Sequence, residues 1–358
     1  MKILRIMLVL IIAMVFLLLT AGCNDCVYGN HSVNVIKISS NGTLEWTHVI
    51  DTGISNGVYG FTPTNDGGMV TVGSISKKTG SCILKSQPHL IRFSKDGVLV
   101  WDNIIDYDAN WAETVVQLRD GGFAVTLNNG EILKLDADGK TIWNRNIGIK
   151  PGRASIIEID NGELIVASSR VTKLDANGTI IWQQSLENEK FGEIYSMIEL
   201  NNGQGYVANS FSSNPKWSVY KIQLNQDGFS TNVSLIANNG SFVERPLYKF
   251  PNGYSNIYSD TNLGISVMQF DDNGTLIKKY PINTTNDVIQ IKDYGFFSLG
   301  SPSEGLHAIK LKPDGTQEWK QILPSPDRGI FAWVDGLAET NDGGYFILYD
   351  TMVFSDMS

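Results

Sequence analysis

At the start of one recurring β-prone run, in four of its seven copies, an aromatic residue stands two positions ahead of an acid. The pairs are Trp111-Ala112-Glu113, Phe191-Gly192-Glu193, Phe242-Val243-Glu244 and Trp333-Val334-Asp335. Residues two apart on a strand share a face, so each pair presents a ring beside a carboxylate. Such a pair can hold a cation against the negative face of the ring, or stack on a sugar. These eight residues form the candidate ligand-binding set. The competing reading is structural: the rings pack in the interior and the carboxylates accept from nearby backbone amides. The sequence leaves both open.

No other constellation names a reaction. His31, His48, His89 and His307 are scattered, with no His-x-His or His-Glu-x-x-His spacing. No Gly-x-Ser-x-Gly elbow or Gly-rich phosphate loop opens a helix. Asp136-Ala137-Asp138-Gly139 and Asp271-Asp272-Asn273-Gly274 have the beginnings of a calcium loop but not its remaining ligands or distant Glu. Their expected role is to cap the backbone of a turn. The sequence therefore predicts no catalytic residue, no metal site and no cofactor.

The elements that must position the aromatic–acid pairs come from two interleaved repeats. The first reads Lys134-Leu135-Asp136-Ala137-Asp138-Gly139 up to Trp143, and again Lys173-Leu174-Asp175-Ala176-Asn177-Gly178 up to Trp182. Looser copies centre on Gly42, Gly97, Gly228, Gly274 and Gly315, so successive glycines lie 55, 42, 39, 50, 46 and 41 residues apart. That period is the signature of a propeller or a solenoid array. The second repeat is a turn such as Asp66-Gly67-Gly68, Asp120-Gly121-Gly122 or Asp342-Gly343-Gly344 between short β-prone runs. Asp-Gly and Asn-Gly in that setting are hairpin signals, because glycine accepts the positive φ of the turn. Each period thus holds four strands: A and B around the Gly-Gly turn, C and D around the Asp-x-x-Gly turn.

The chain opens on a C–D hairpin with no A–B hairpin before it and closes on an A–B hairpin with no C–D hairpin after it. The two halves complete one another, which predicts an all-β, seven-bladed β-propeller of four-stranded blades, closed by pairing the first hairpin with the last. Closure removes the exposed sheet edges that an open solenoid would have to cap. Strand A is expected innermost, so the aromatic–acid pairs would ring the mouth of the central channel on the face carrying the D-to-A and B-to-C connections.

In form this repeat resembles the tryptophan-docking motif of the pyrroloquinoline-quinone-type propellers, where Asp, Gly and Trp recur on the outer hairpin of each blade. Trp46, Trp101, Trp143, Trp182 and Trp319 occupy the docking position, while Asn232 and Lys278 replace Trp in blades 4 and 5. The turn is one residue shorter than in that family and lacks its Thr. The resemblance implies either a quinone-dependent dehydrogenase or a cofactor-free scaffold such as the lipoprotein that helps assemble outer-membrane barrels. The vicinal cysteine pair of many quinone enzymes is absent. A covariation accompanies the Trp: Lys37, Arg92, Lys134, Lys173 and Lys310 precede the marker glycines by five, but Gln223 and Gln269 do so in the two blades without Trp. A cation over a Trp face would couple the two positions; general divergence of blades 4 and 5 is the alternative.

Lys2 and Arg5 precede an uncharged apolar run, Ile6 to Leu19, that ends in Thr20-Ala21-Gly22-Cys23. This is the pattern of an export signal, and its end resembles a prokaryotic lipobox, with Cys23 as the lipid attachment site. An uncleaved signal anchor is the other reading. The expected division is a signal peptide over 1–22, a short tether over 23–30 and one propeller over 31–358. Cys26 and Cys82 remain as an even pair outside the cytoplasm, which suggests a disulfide, with two free thiols as the alternative. Low charge (18%), a net charge of −9 and 35 glycines fit an extracytoplasmic all-β domain and argue against nucleic acid. The functional expectation is an exported, membrane-anchored, non-catalytic binding or scaffold module for an envelope protein or a glycan. The alternative is a propeller enzyme using the channel mouth, either a quinone-dependent dehydrogenase or a glycan-acting lyase or hydrolase.

Overall fold

The computed structural model describes residues 30–51, 57–78, 84–186, 193–200, 205–211, 217–225, 228–238, 246–260, 264–282, 287–300, 306–323 and 330–353. They form seven four-stranded antiparallel sheets. Blades 1 to 6 take consecutive strands over 58–104, 112–146, 155–185, 193–238, 247–281 and 288–322. Blade 7 is composite. Its order is Leu44–Asp51, Asn30–Ile38, Tyr345–Val353, Ile330–Glu339, and Asn30 faces Val353 while Ile38 faces Tyr345.

The apolar pattern explains why the blades stack. A middle strand such as Phe123–Leu127 is buried at every position, because its sheet has a neighbour on both faces, and so it reads as an unbroken apolar run. The outer strand Leu99–Ile104 alternates exposed and half-buried positions. The core divides accordingly into seven clusters, each at a seam between adjacent blades. Leu118, Ala124 and Ile132 of blade 2 meet Ile156, Leu164 and Val166 of blade 3 in one of them. Val33 and Phe346 of blade 7 meet Met69 and Phe93 of blade 1 in another, at the seam that closes the ring.

Turn chemistry sets the hairpins. Asp120 Oδ1 accepts from the amide of Gly122 at 2.9 Å, and Gly121 takes a φ of +85°. A Cβ on Gly122 would lie 2.3 Å from the carbonyl oxygen of Leu135, so the second glycine is required by the approach of strand C. The two calcium-like stretches are turns of the same kind. Asp136 Oδ1 accepts from the amides of Asp138 and Lys140, and Asp271 Oδ1 from those of Asn273 and Thr275. Among the described residues no three His, Cys, Asp or Glu side chains converge as metal ligands.

Candidate functional site: the central cavity and the seams around it

Strand A of every blade contributes to or adjoins a central cavity of about 710 Å³. Its wall includes Tyr59 and Phe61 of blade 1, Glu113 and Val115 of blade 2, Arg153 and Ser155 at blade 3, Tyr195 of blade 4, Pro246 before blade 5, Ile289 of blade 6 and Val334 of blade 7. The wall is mixed, with aromatic, aliphatic and charged side chains.

A backbone irregularity recurs in the strands around it. In Val58–Pro63 the pairing skips from Val58 to Gly60, in Ala112–Gln117 from Ala112 to Thr114, and in Glu193–Glu199 from Ile194 to Ser196. Ile330–Glu339 skips from Val334 to Gly336. The extra residues are Tyr59, Glu113, Tyr195 and Asp335, each five positions ahead of the residue that opens the A–B turn. A β-bulge bends its strand and re-aims a side chain, and bulges concentrate beside functional sites. The signal in the sequence is a break in the two-residue alternation at a fixed distance from the turn.

Glu113 is the best defined of the four. It is 4% exposed. Its Oε1 accepts from the Trp111 indole Nε1 at 3.1 Å and from the Gly152 amide, on the loop into blade 3, at 2.8 Å. Its Oε2 is buried without a donor among the described residues. Burial raises the carboxyl above its ordinary range, and the hydrogen bonds from Gly152 and Trp111 oppose that shift. Trp111 and Glu113 therefore do form one unit, and the unit also ties blade 2 to blade 3.

The other pairs divide. Glu193 is half-buried and lies two positions farther from its turn than Glu113 does, because Tyr195 holds the bulge in blade 4. The sequence alignment of Phe191-Gly192-Glu193 with Trp111-Ala112-Glu113 is corrected by that register. Trp333 and Asp335 sit on a described strand, but their side chains lie outside the described residues, as do Phe191, Phe242, Glu244, Cys23, Cys26 and Cys82 altogether.

The repeat Trp residues work at the periphery. Trp46, Trp101, Trp143 and Trp319 donate from Nε1 to Lys95, Ala137, Ala176 and Ser40, at 2.9 to 3.2 Å, each acceptor in the C–D turn of the next blade. The ring lies over the glycine of that turn: a Cβ on Gly178 would come within 2.6 Å of Trp143. Trp182 packs against the cluster between blades 3 and 4. The expected cation–Trp contact is replaced by another arrangement. Lys37, Lys134 and Lys310 pair with Asp342, Asp120 and Asp293 of the A–B turn in their own blade, at 2.8 to 3.1 Å. Lys37 Nζ and Arg92 NH1 also donate to the carbonyls of Lys95 and Ala137, the ones their Trp partners use. In blade 5, where Lys278 replaces Trp, the Tyr280 hydroxyl donates to Pro313 O at 3.0 Å, the equivalent carbonyl, with Lys278 Nζ 4.2 Å from the Tyr280 ring centre.

With this geometry in view, the sequence model of a family described as outer membrane protein assembly factor BamB matches residues 128–240, from strand C of blade 2 to the end of blade 4. Over those residues the chain carries β-propeller repeats of the pyrroloquinoline-quinone type. Solved structures are similar in fold. The WD40 β-propeller domain of Doa1 is 11% identical, covers 86% of this chain and 95% of its own, and superposes with a TM-score of 0.54. BamB from Moraxella catarrhalis is 14% identical over 88% of this chain and 91% of its own, with a TM-score of 0.49. A protein of unknown function from Bacteroides caccae is 14% identical over 81% and 93%, with a TM-score of 0.41. No curated protein matches the chain in sequence.

Proposed function

We propose that this chain is an exported, membrane-tethered, non-catalytic binding module that receives a segment of an envelope protein at the mouth of its central cavity. The observation that carries this reading is the recurrence of bulges at the inner strands. They place Tyr59, Glu113 and Tyr195 on the wall of one cavity of about 710 Å³. A cavity of that size with a mixed lining suits a side chain or a short segment. The match of residues 128–240 to a model named for an outer-membrane assembly factor supports an envelope partner. The apolar run ahead of Cys23 supports the tether. No helix among the described residues is long and apolar enough to cross a membrane, and that run lies outside them.

A photo-crosslinker at Tyr195, compared with one at Ile322 on the outer strand of blade 6, tests this in the native host. The expected result is a discrete envelope-protein adduct from Tyr195 and none from Ile322, which is 73% exposed. Glycan adducts at Tyr195, or the same adducts from both sites, would overturn the reading. Mass spectrometry of the amino-terminal peptide tests the tether: a diacylated Cys23 is expected, and an unmodified peptide starting upstream of it refutes the lipid.

A further inference from the structure

Half of the Glu113 carboxylate is accounted for by the seam between blades 2 and 3, and half is not. Oε1 takes both donors, while Oε2 is buried with none among the described residues, and Glu113 contributes to the wall of the cavity. A carboxylate offers about four lone-pair sites, and a buried charge is ordinarily met by a partner. The surroundings are aromatic. Tyr59, at the same bulge position in blade 1, has its ring centre 5.9 Å from that of Trp111 with an interplanar angle of 40°. Tyr59 is 41% exposed and lines the cavity beside Glu113.

We propose that this corner is a subsite for a cationic nitrogen, an ammonium or guanidinium carried on a basic side chain of the partner. An N–H of the cation donates to Glu113 Oε2 while its alkyl stem lies against Tyr59 and Trp111, whose ring faces favour positive charge. A neutral hydroxyl can donate to the same oxygen but leaves the charge uncompensated in a desolvated place. Arg153, the one cation among the described lining residues, makes no ion pair with Glu113. The net charge of −9 draws a basic segment toward the opening. This inference rests on the cavity being the binding site proposed above.

The test is a titration of the full chain, followed by NMR at the Trp111 indole and the Gly152 amide, with n-butylammonium as probe and n-butanol as its uncharged isostere. Saturable shifts with n-butylammonium alone are expected, weakened on the order of tenfold or more by Glu113→Gln. That variant keeps an oxygen for the Trp111 and Gly152 donors. Tyr59→Leu provides a second reading if Glu113→Gln fails to fold, with an expected loss of about threefold. Equal binding of n-butanol, an affinity unchanged in both variants, or the absence of any saturable shift would overturn the subsite. An envelope-protein adduct at Tyr195 that persists without ammonium binding would sink the subsite and leave the proposed function standing. Ammonium binding without such an adduct would do the reverse.

Discussion

At Glu113 the interest lies in what burial does to a single carboxyl. Desolvation raises it above the ordinary glutamate range, and the Gly152 and Trp111 donors only partly offset that. Its charged form is therefore disfavoured in the fold relative to the unfolded chain, so its contribution to stability declines as pH rises from the unfolded value through the raised one. Glu113→Gln removes this titration. Denaturant midpoints measured from about pH 4 to about pH 8 should show the variant gaining on the parent as pH rises. A constant difference across that range would mean the carboxyl titrates as an ordinary exposed group. The aromatic–acid spacing made Trp111 and Glu113 legible as a unit from sequence. The bulge is not legible there, because a one-residue insertion in one strand is visible only against the register of its partner, and for that reason the spacing alone puts Glu193 level with Glu113.

At the scale of the hairpin, the Gly–Trp repeat is an inter-blade joint. Gly121 and Gly178 have φ values of +85° and +79°, but a Cβ on Gly121 would meet nothing within 4 Å, whereas one on Gly178 would strike the Trp143 ring. Gly121→Ala should therefore cost only the conformational penalty of the left-handed region, about 1 kcal/mol. Gly178→Ala should cost that and also displace the docked indole, for about 2–3 kcal/mol in all. Urea unfolding of the two variants decides it, and equal losses would show that the indole adapts freely. In blades 7 and 1 the Trp and the cation reach one carbonyl of the next blade, as Trp46 and Lys37 do at Lys95 and Trp101 and Arg92 do at Ala137. The sequence shows the covariation but not this contact, since the acceptor that Trp101 and Arg92 share lies 36 and 45 residues downstream. Tyr280 carries no signal in the repeat for a related reason: it serves the acceptor of the missing Trp from two positions farther along the strand, a substitution by geometry instead of by alignment.

Across the whole molecule, stability resides in seams. Seven apolar clusters join seven blades in a closed circuit, and the last seam exists because the two ends of the chain share a sheet. Deleting Phe331 to Ser358 removes two strands of that sheet and leaves Asn30–Ile38 with an unpaired edge. The truncated chain should lose cooperative unfolding and solubility, well beyond the effect of shortening a surface loop. A soluble truncated protein that unfolds in one transition at the parent midpoint would show that six blades suffice. Seven copies of the Asp-x-x-Gly turn make the blade count legible, and the unmatched hairpins at the two ends make their pairing an expectation.

The register of that shared sheet has one more consequence. Asn30 lies opposite Val353, so the first and last described strands meet at the position that the connection from Lys78 to Leu84 occupies in blade 1. The ring of blades is thus joined by non-covalent pairing in blade 7, where in the other blades one continuous stretch of chain supplies all four strands. A circular permutant with residues 30 and 353 joined by a short linker, and reopened between Lys78 and Leu84, would carry the clasp in blade 1 and keep the cavity, the bulges and every indole joint where they are.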